Sequence, residues 1–419
     1  MSEFNIFERK VSKFIKRFSY VHKLVKYLYQ YLNFFLKSDK NFSFKIHPDV
    51  KILNISNKSL FFGYYDHTPF SNDMNHFVSH SFDKSLFLNL YKFKNQKLVN
   101  EVTIIKTDYF NFQQGIRPIW LDSKNIIFNY INDNYFKSAI YNIENKSTIN
   151  IKYPVQEVSP DGQIIFSINY SRQDKLNKDY GYGLNQSIKF ENIDGIIGYR
   201  YKDDSILFNL KISDIFIHSQ NKYNFRIDDC ELNHLHHCPF TSSILFIFRN
   251  KKSNAFSELF KYDYVEEKID LIYSGKLMSH YCFISKNKIF AYLENENENG
   301  FFELSFDNDI AITQNILPYK EDNINDGHPS ISPDKKWITY DTYPNKARKS
   351  SLFIIKNAPN SKKILIGTFY SPMKYYGYKR CDLHPRWSPD GNFISIDSTH
   401  EDKRKTFLID VSKVLKKYE

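Results

Sequence analysis

The residues best suited to chemistry are histidines that recur at comparable intervals in the second half of the chain. Intervals of 46, 48 and 56 residues separate His234, His280, His328 and His384. Imidazole is the commonest protein ligand for first-row transition metals, so a fold that brings these rings together would form a metal site. Asp382 lies two residues before His384, on the same side of an extended strand, and adds a carboxylate. These five residues are the predicted ligands of a divalent metal ion.

The last two of these histidines each begin a motif that continues into Ser-Pro-Asp four residues later. An alternating, strand-like run follows each Ser-Pro-Asp, which predicts a β-hairpin in both copies. Folding the hairpins about their turns places His328 opposite Asp341 and His384 opposite Asp397. We therefore expect each aspartate to orient its imidazole by accepting the ring N–H that does not face the metal.

The same motif can be traced in further segments, which suggests a repeat. The position four residues before the Ser, or before the residue that replaces it, is occupied by His67, Arg117, Val155, His234, His280, His328 and His384. Most intervals suit one four-stranded blade of a propeller, and an insertion containing residues 179–184 explains the interval of 79 residues after Val155. We therefore predict an all-β chain in which residues 48–419 form a seven-bladed β-propeller.

The predicted propeller would gather this repeated position around one axis, because the innermost strand of each blade lines a central channel. The histidines are then expected to form a ring at one mouth of the channel. His67 would join the ring from the first blade, and Arg117 occupies the same position in the second; these two are the predicted catalytic residues. The alternative is structural, with each histidine tying its inner strand to the neighbouring blade.

The charge of the chain favours an anionic partner. Lys and Arg number 58 against 47 Asp and Glu, a formal net charge of +11, which suits nucleic acid, membrane headgroups or an acidic saccharide. No recognised nucleic-acid-binding module is present, so nucleic acid is not expected as a partner. Further positive charge at the mouth is expected from Arg249, Arg348, Lys379, Arg380 and Arg386.

Residues 1–47 follow a different pattern from the rest of the chain. Apolar residues recur at helical spacing from Val11 to Phe35, with lysine and arginine between them, which predicts a basic amphipathic helix. The helix lacks a run of about 18 uncharged apolar residues, so it is expected to lie on a membrane surface and not to cross it. The alternative is that it packs on the propeller with a solvated basic face. Four cysteines without a CxxC pair, and no secretory signal, favour the cytoplasm, with a peripheral position on the inner face of the membrane if the helix binds lipid.

Two resemblances add to this prediction. The Ser-Pro-Asp segments resemble the TolB-type, WD40-like propeller repeat. The run His384-Pro-Arg-Trp-Ser-Pro-Asp-Gly391 is similar to the last-blade motif of oligogalacturonate lyases, seven-bladed propellers that cleave acidic oligosaccharides by β-elimination around a histidine-bound manganese ion. The resemblance implies manganese as the metal. This chain departs from the lyases by having Asp382 in place of a histidine and Lys379 in place of a glutamine.

A third resemblance is to uncharacterised propeller proteins that accompany bacterial surface-polysaccharide synthesis, and it rests on residues 62–66, 113–115 and 381–387. We therefore expect a protein that acts on or binds an acidic polysaccharide or its precursor. In a lyase-like β-elimination, the metal would stabilise the uronate carboxylate while Arg117 or a ring histidine such as His67 removes the α-proton. The alternative is a non-catalytic scaffold that binds glycan or partner proteins of a polysaccharide assembly. A serine hydrolase is not expected, because no Gly-x-Ser-x-Gly motif occurs.

Overall fold

The protein folds as a ring of seven antiparallel sheets. The computed structural model describes residues 19–37, 39, 41–133, 135–183, 194–250, 255–294, 299–307, 310–314, 326–358 and 361–419. Within these residues, 29 strands form seven sheets of four or five strands. Consecutive sheets follow one another along the chain, and each runs from an inner to an outer strand. The prediction of an all-β, seven-bladed β-propeller is confirmed.

The strands of the first three blades begin after two short strands, β1 (Phe44–Ile46) and β2 (Lys51–Asn54). Blade 1 contains β3 (Leu60–Phe61), β4 (His76–Phe82), β5 (Leu86–Lys94) and β6 (Lys97–Thr107). Blade 2 contains β7 (Ile119–Trp120), β8 (Asn125–Asn132), β9 (Tyr135–Asn142) and β10 (Thr148–Ile151). Blade 3 contains β11 (Glu157–Val158), β12 (Ile164–Ile168), β13 (Gly195–Arg200) and β14 (Ser205–Lys211).

The remaining blades follow the same plan. Blade 4 contains β15 (Glu231–His237), β16 (Ser243–Asn250), β17 (Phe256–Asp263) and β18 (Lys268–Gly275). Blade 5 contains β19 (Leu277–Ser285), β20 (Lys288–Glu294), β21 (Asn299–Asp307) and β22 (Ile310–Gln314). Blade 6 contains β23 (Pro329–Ile331), β24 (Trp337–Asp341), β25 (Lys349–Lys356) and β26 (Ile364–Tyr370). Blade 7 contains β27 (Arg386–Trp387), β28 (Phe393–Ser398) and β29 (Lys405–Asp410).

Helices are few in the described part of the chain. They are α1 (Ser19–Lys37), α2 (Tyr170–Leu176), α3 (Ile212–His218) and α4 (Ser412–Tyr418). Residues 11–18, about the first third of the predicted N-terminal helix, lie outside the described residues. Helices α2 and α3 account for much of the long interval between blades 3 and 4, because they follow β12 and β14. None of these helices is long and apolar enough to cross a membrane.

Local hydrogen bonds explain why Ser-Pro-Asp recurs at the hairpin turns. In blade 6, the Ser332 hydroxyl donates to Asp334 Oδ1 at 2.6 Å and accepts from the backbone N–H of Trp337 at 2.9 Å. The corresponding bonds recur at Ser388 in blade 7. Gly391 closes that turn with a left-handed backbone (φ 70°), which glycine adopts at little cost. Each turn is thus specified by a few adjacent residues.

The ring is closed by pairing the two ends of the propeller. Strand β2 pairs antiparallel with β29, so it is the outermost strand of blade 7. Strand β1 pairs with β26 and becomes a fifth strand of blade 6. Because β1 falls within residues 1–47, sheet pairing begins inside the segment that the sequence assigned to the helical extension. A strand of three residues is too short for its alternation to be recognised.

Apolar side chains fill the spaces between neighbouring blades. In one such layer, Ile247 and Leu259 of blade 4 pack in the same buried cluster as Ala291 and Leu304 of blade 5. Other clusters join blades 1 to 4 and blades 6 to 7. Because these interiors are close-packed, the inner strands are held at fixed positions around the channel.

Candidate metal centre at the channel mouth

The histidines predicted as ligands lie side by side at one mouth of the channel. Ring centroids are 4.8 Å apart for His234 and His280, 4.1 Å for His280 and His328, and 4.2 Å for His328 and His384. Each of the four residues is at most 3% exposed. Successive blades therefore bring this sequence position together. Together with Asp382, these residues are called the histidine mouth below.

Three members of the histidine mouth have the geometry of a metal site. His328, Asp382 and His384 each offer one ligand atom, and these atoms lie within 4.8 Å of one another. Within the described residues, His328 Nε2, His384 Nε2 and Asp382 Oδ1 are buried and have no hydrogen-bond partner. Burying a polar atom without a partner costs about 1–3 kcal/mol, so the three together fit a bound cation. Two imidazoles and a carboxylate are donors that first-row divalent metals accept.

Asp341 holds this group in place from behind. Its Oδ1 atom accepts from His328 Nδ1 at 2.9 Å, so the Nε2 atom of the ring is left facing the channel. Its Oδ2 atom accepts from the backbone N–H of His384 at 3.0 Å. Gly327 permits this close approach, since a Cβ atom there would lie 1.7 Å from the Asp341 carbonyl oxygen. The predicted contact between Asp341 and the His328 ring is confirmed.

The matching prediction for Asp397 and His384 is wrong. The Asp397 carboxylate accepts from the backbone N–H groups of Phe62 and Gly63 and from Arg386 Nη1, at 3.0–3.2 Å. Arg386 is only 1% exposed, and its buried guanidinium binds the carboxylate that the register alone would assign to His384. Asp397 and Arg386 therefore join blade 7 to blade 1.

The other two histidines of the mouth are held by their Nδ1 atoms. His280 Nδ1 lies 3.1 Å from the Gly327 carbonyl oxygen, which can only accept, so Nδ1 carries the ring proton and Nε2 keeps its lone pair when the ring is neutral. His234 Nδ1 lies 2.9 Å from the Tyr64 hydroxyl. Both rings are therefore fixed in orientation beside the ligand atoms of His328 and His384.

Burial sets the protonation of these rings. Burial, and after it the neighbouring His328, lower the pKa of His280 to about 4. Burial and His328 likewise hold the pKa of His384 well below its ordinary value. For His328, burial acts in the same direction, but the Asp341 carboxylate outweighs it and raises the pKa. At neutral pH, His280 and His384 are thus neutral, as metal ligands and proton acceptors must be.

Two mouth residues have a left-handed backbone conformation, which residues other than glycine rarely adopt. The φ angles of His234 and His384 are 47° and 45°, and Arg117, at the same repeat position, has 54°. A left-handed conformation at a residue other than glycine costs about 1–3 kcal/mol. Strain of this kind is typical of functional sites, and here it recurs at equivalent positions of three blades.

Two arginines add positive charge at the mouth. Arg380 donates to Asp382 Oδ2 at 2.7 Å and to Asp179 at 2.8 Å, which leaves Asp382 Oδ1 for the channel. Arg249 is 4% exposed, and within the described residues its Nε and Nη2 atoms have no hydrogen-bond partner. Arg249 is close enough to His280 to contribute to the lowering of the pKa of that ring. A buried guanidinium edge without a partner is suited to a carboxylate.

Two of the other predicted cations lie near the mouth but have partners of their own. Arg386 contributes to the lowered pKa of His384, and Asp382 acts to raise the pKa of Arg348. Arg348 donates to the Ser371 carbonyl and hydroxyl, and Arg386 binds Asp397. Lys379 is exposed.

The predicted catalytic pair, Arg117 and His67, does not lie in the arc of histidines. Arg117 donates to Asp66 Oδ2 at 2.6 Å, and His67 Nε2 lies 3.1 Å from a Glu157 oxygen. His236 completes the group, 3.4 Å from the other Glu157 oxygen. We call these five residues the inner charge cluster.

A tyrosine separates the two groups. Glu157 and His236 each lie two residues beyond the repeated position of their inner strand. Two residues of strand span about 7 Å, so Glu157 and His236 lie deeper in the channel than the histidine mouth. The Tyr65 ring lies between, 5.4 Å from the ring of His328 and 6.1 Å from that of His236.

An excursion in blade 1 explains the displacement of His67. Phe61 pairs with His80 and Phe70 pairs with Phe77, so the eight residues between Phe61 and Phe70 face only two residues on the other strand of this hairpin. The extra residues loop into the channel and carry Tyr64 to the centre of the mouth, where its ring centroid is 5.1–6.3 Å from those of the four histidines.

The inner charge cluster is already neutralised. Burial would raise the pKa of Glu157 and Asp66, but the neighbouring cations outweigh it and lower both. The pKa of His67 is raised, because Glu157 and Asp66 outweigh the effect of burial. Asp66, Glu157 and His236 also have ligand atoms within 4.8 Å of one another. However, at a pH below the raised pKa of His67, Arg117 and His67 balance the two carboxylates, so the cluster then has no net negative charge to attract a cation.

Two tyrosines at the mouth had no signal in the sequence. The Tyr180 hydroxyl lies 3.1 Å from that of Tyr64, and the Tyr343 ring lies 5.4 Å from that of His328. Tyr180 belongs to the insertion of blade 3 and Tyr343 to the link between β24 and β25, where no repeat position marks them.

Comparison with known proteins identifies the fold. An oligogalacturonate lyase from Vibrio parahaemolyticus is 12% identical, with a TM-score of 0.59 over 90% of this chain and 98% of the lyase. An oligogalacturonate lyase in complex with manganese is 10% identical, with a TM-score of 0.58 over 89% of this chain and 98% of that chain. TolB from Acinetobacter baumannii is a weaker match, 11% identical with a TM-score of 0.39 over 71% and 62% of the two chains. No family model matches the sequence, and neither does any curated protein.

The fold and the site define a seven-bladed β-propeller with a mouth lined by histidines and an aspartate. The predicted resemblance to the propeller of oligogalacturonate lyases is confirmed for the fold. At 10–12% identity this likeness shows the fold alone, so the function has to be argued from the residues of this chain.

Proposed function

We propose that the protein acts on an acidic polysaccharide, or on its precursor, at a divalent metal ion bound in the histidine mouth. The observation that carries this proposal is the convergence of three unpartnered, buried ligand atoms, on His328, Asp382 and His384, together with the buried guanidinium of Arg249, whose Nε and Nη2 have no partner within the described residues. A metal ion would satisfy the first group, and an anionic ligand would satisfy the second.

Manganese is the proposed metal. The donor set mixes nitrogen and carboxylate oxygen, which suits manganese, iron and zinc. One solved propeller of the same fold, an oligogalacturonate lyase, is a complex with manganese. Asp341 raises the pKa of His328 and so favours its protonated form. A metal ion that binds to His328 would have to displace a proton from the ring, so metal affinity should rise with pH.

The proposed ligand carries a carboxylate, as a uronic acid does. Arg249 presents Nε and Nη2, the two N–H groups on one edge of the guanidinium, and this edge binds a carboxylate through two parallel hydrogen bonds. Arg380 cannot take this role, because its guanidinium is already bound to the carboxylates of Asp382 and Asp179. Arg249 is therefore the residue that we assign to recognition of the acidic group.

The proposed reaction is β-elimination. When bound, the metal ion would supply Lewis-acid stabilisation of the negative charge that develops on the uronate carboxylate. His280 is the proposed proton acceptor, because its Nε2 lone pair is free on the tautomer that the Gly327 carbonyl selects. Transfer of the α-proton of the uronate to His280 breaks the α C–H bond. The electron pair of that bond forms the new C=C bond, and the glycosidic C–O bond at the β carbon breaks. The departing oxygen takes up a proton from water.

Metal content and turnover test the proposal together. Purified protein loaded with Mn²⁺ should retain about one ion per chain after desalting, and H328A and D382N should lose it. H218A, which replaces an exposed histidine of α3, is the matched control and should retain the ion. With oligogalacturonides, other oligouronides and neutral glycans as substrates, unsaturated uronide product should form only from acidic ones. Protein that binds no metal would refute the proposal.

The same experiment decides between the enzyme and a scaffold. H280Q should keep the metal and lose turnover if His280 accepts the proton. Stoichiometric metal and saturable binding of acidic glycan, without product from any substrate, would instead establish a non-catalytic glycan-binding module of surface-polysaccharide synthesis. For either role we propose the cytoplasm, because the four cysteines are free thiols.

A further inference from the structure

Helix α1 exposes a continuous apolar face. The exposed fraction of its apolar residues is 37% for Val25, 55% for Leu28, 52% for Tyr31, 56% for Leu32, 69% for Phe35 and 68% for Leu36. Spacings of three and four residues place them all on one side of the helix. Exposed apolar surface of this extent is unusual for a soluble protein and indicates a binding surface. We call these six residues the α1 face.

The opposite side of α1 contacts the propeller. The Tyr27 ring lies 5.9 Å from that of Tyr376, and the Phe34 ring lies 6.5 Å from that of Tyr370. Lys346 Nζ lies 5.9 Å from the centroid of the Tyr29 ring. The helix therefore packs on blade 6 and on the segment that leads into blade 7, and it turns the α1 face away from the propeller.

These contacts place α1 on the same end of the propeller as the histidine mouth. Lys346 lies in the link after β24, and β24 ends at Asp341, which binds His328. Tyr376 lies in the link between β26 and β27, and that link also carries Asp382 and His384. Antiparallel pairing puts both links at one end of the blades and the Ser-Pro-Asp turns at the other.

Charge indicates what covers the α1 face. Residues 9–37 contain no aspartate or glutamate. The basic residues in this range are Arg9, Lys10, Lys13, Lys16, Arg17, Lys23, Lys26 and Lys37. A second copy of the chain would bring two such segments together, with strong repulsion. An anionic bilayer provides both an apolar layer for leucine and phenylalanine and phosphate groups for lysine and arginine.

We propose that α1 lies in the surface of an anionic membrane and holds the histidine mouth close to the bilayer. Tyrosines such as Tyr31 suit the headgroup region, since the ring is apolar and the hydroxyl is polar. A ligand of the mouth would then be taken from, or delivered to, the membrane surface. This docking does not depend on the proposed chemistry of the mouth.

Vesicle flotation with the full chain tests the docking. The protein should float with vesicles of phosphatidylcholine and phosphatidylglycerol in equal parts, and much less with phosphatidylcholine alone. High salt should weaken binding, because it screens the attraction of lysine and arginine to the lipid phosphates. The double variant L32E/L36E should bind at least about tenfold more weakly than the wild type, since it places two carboxylates in the α1 face.

Val265→Glu is the matched control. Val265 is 72% exposed in the turn between β17 and β18, at the opposite end of the propeller from the mouth. V265E should float like the wild type. Absence of flotation with anionic vesicles, or equal flotation of L32E/L36E and the wild type, would overturn the proposal. So would a wild-type dimer in light scattering that L32E/L36E converts to a monomer, because a second copy would then cover the face.

The orientation has its own test. A tryptophan introduced at Tyr378, which is 60% exposed in the link between β26 and β27, should be quenched by brominated lipid in anionic vesicles. A tryptophan at Val265 should not be quenched. Equal quenching at the two positions, or quenching at Val265 alone, would show that the mouth does not face the bilayer.

Discussion

His328 and Asp341 are joined twice, since Asp341 Oδ1 accepts from the backbone N–H of His328 at 2.7 Å and from its Nδ1 at 2.9 Å. Asp341 therefore fixes both the position and the tautomer of a proposed metal ligand. Replacement by asparagine should lower the affinity for Mn²⁺ by about 10- to 100-fold, as loss of an orienting carboxylate usually does. Isothermal titration calorimetry measures this.

The control for D341N is D203N, at an exposed aspartate in a turn of blade 3. It should bind Mn²⁺ like the wild type. A folded D341N protein with unchanged affinity would contradict the role that the structure gives to Asp341.

Arg249 should contribute to ligand binding and little to stability. Because its Nε and Nη2 atoms have no partner within the described residues, R249M should melt at the wild-type temperature or above it. Its KM for an acidic glycan should rise by at least about 100-fold, since a hydrogen bond to a charged group typically contributes about 1.5–3 kcal/mol and two are lost. Metal content should not change. A KM unchanged by R249M, or a large fall in melting temperature, would assign Arg249 a structural role.

The ion pair between His67 and Glu157 should give stability that depends on pH. The folded pKa of Glu157 is lowered, so its contribution is present above the unfolded value of about 4.3 and is lost as pH falls through the folded value. The folded pKa of His67 is raised, so its contribution is complete below about 6.5 and is lost as pH rises through the folded value. The pair therefore stabilises most between these limits.

Replacing Glu157 by glutamine leaves buried cations without their partner and should cost about 3–5 kcal/mol near pH 5.5. The loss should shrink above the raised pKa of His67, which urea unfolding over a pH series can measure. The exposed pair of Glu144 with Lys124 is the control, and E144Q should cost at most about 1 kcal/mol at any pH. An E157Q effect that does not vary with pH would mean that packing, and not charge, holds the cluster.

The closure of the ring by β2 predicts a sharp difference between two truncations. Removal of residues 1–40 takes away α1 and should leave the melting temperature close to that of the wild type. Removal of residues 1–56 also takes away β1 and β2, which exposes the edges of β26 and β29. The longer truncation should melt lower and aggregate, because unpaired edges recruit other chains. Equal melting of the two proteins would show that the ring does not need this closure.

Much of the fold could be predicted because its turns are local. Ser332 and Ser388 specify their turns through bonds to residues two and five positions away, so the motif is visible in the sequence. Once the motif repeats, a closed ring follows, and with it the meeting of His234, His280, His328 and His384. The short strands β1 and β2 left no such signal, since their partners lie more than 300 residues away.

The candidate site could be predicted only where its residues keep the repeat register. His67 leaves the register through the excursion between Phe61 and Phe70, and this gives the centre of the mouth to Tyr64. Asp397 keeps the register, but its carboxylate forms an ion pair with Arg386 and does not bind the His384 ring. Neither outcome can be derived from spacing, because each depends on contacts between blades 1 and 7.

The repeated hairpin, and with it the seven-bladed ring, the four converging histidines and the cationic, apolar character of the N-terminal helix, can be predicted from the order of the residues. These features follow from turn hydrogen bonds and periodicity, which act over a few residues. The folded chain was needed to show that Asp341 binds both His328 and His384, that Arg117 and His67 belong to a separate cluster, and that α1 lies at the end with the mouth. These depend on which side chains compete for the same space and the same charges once distant segments are packed together.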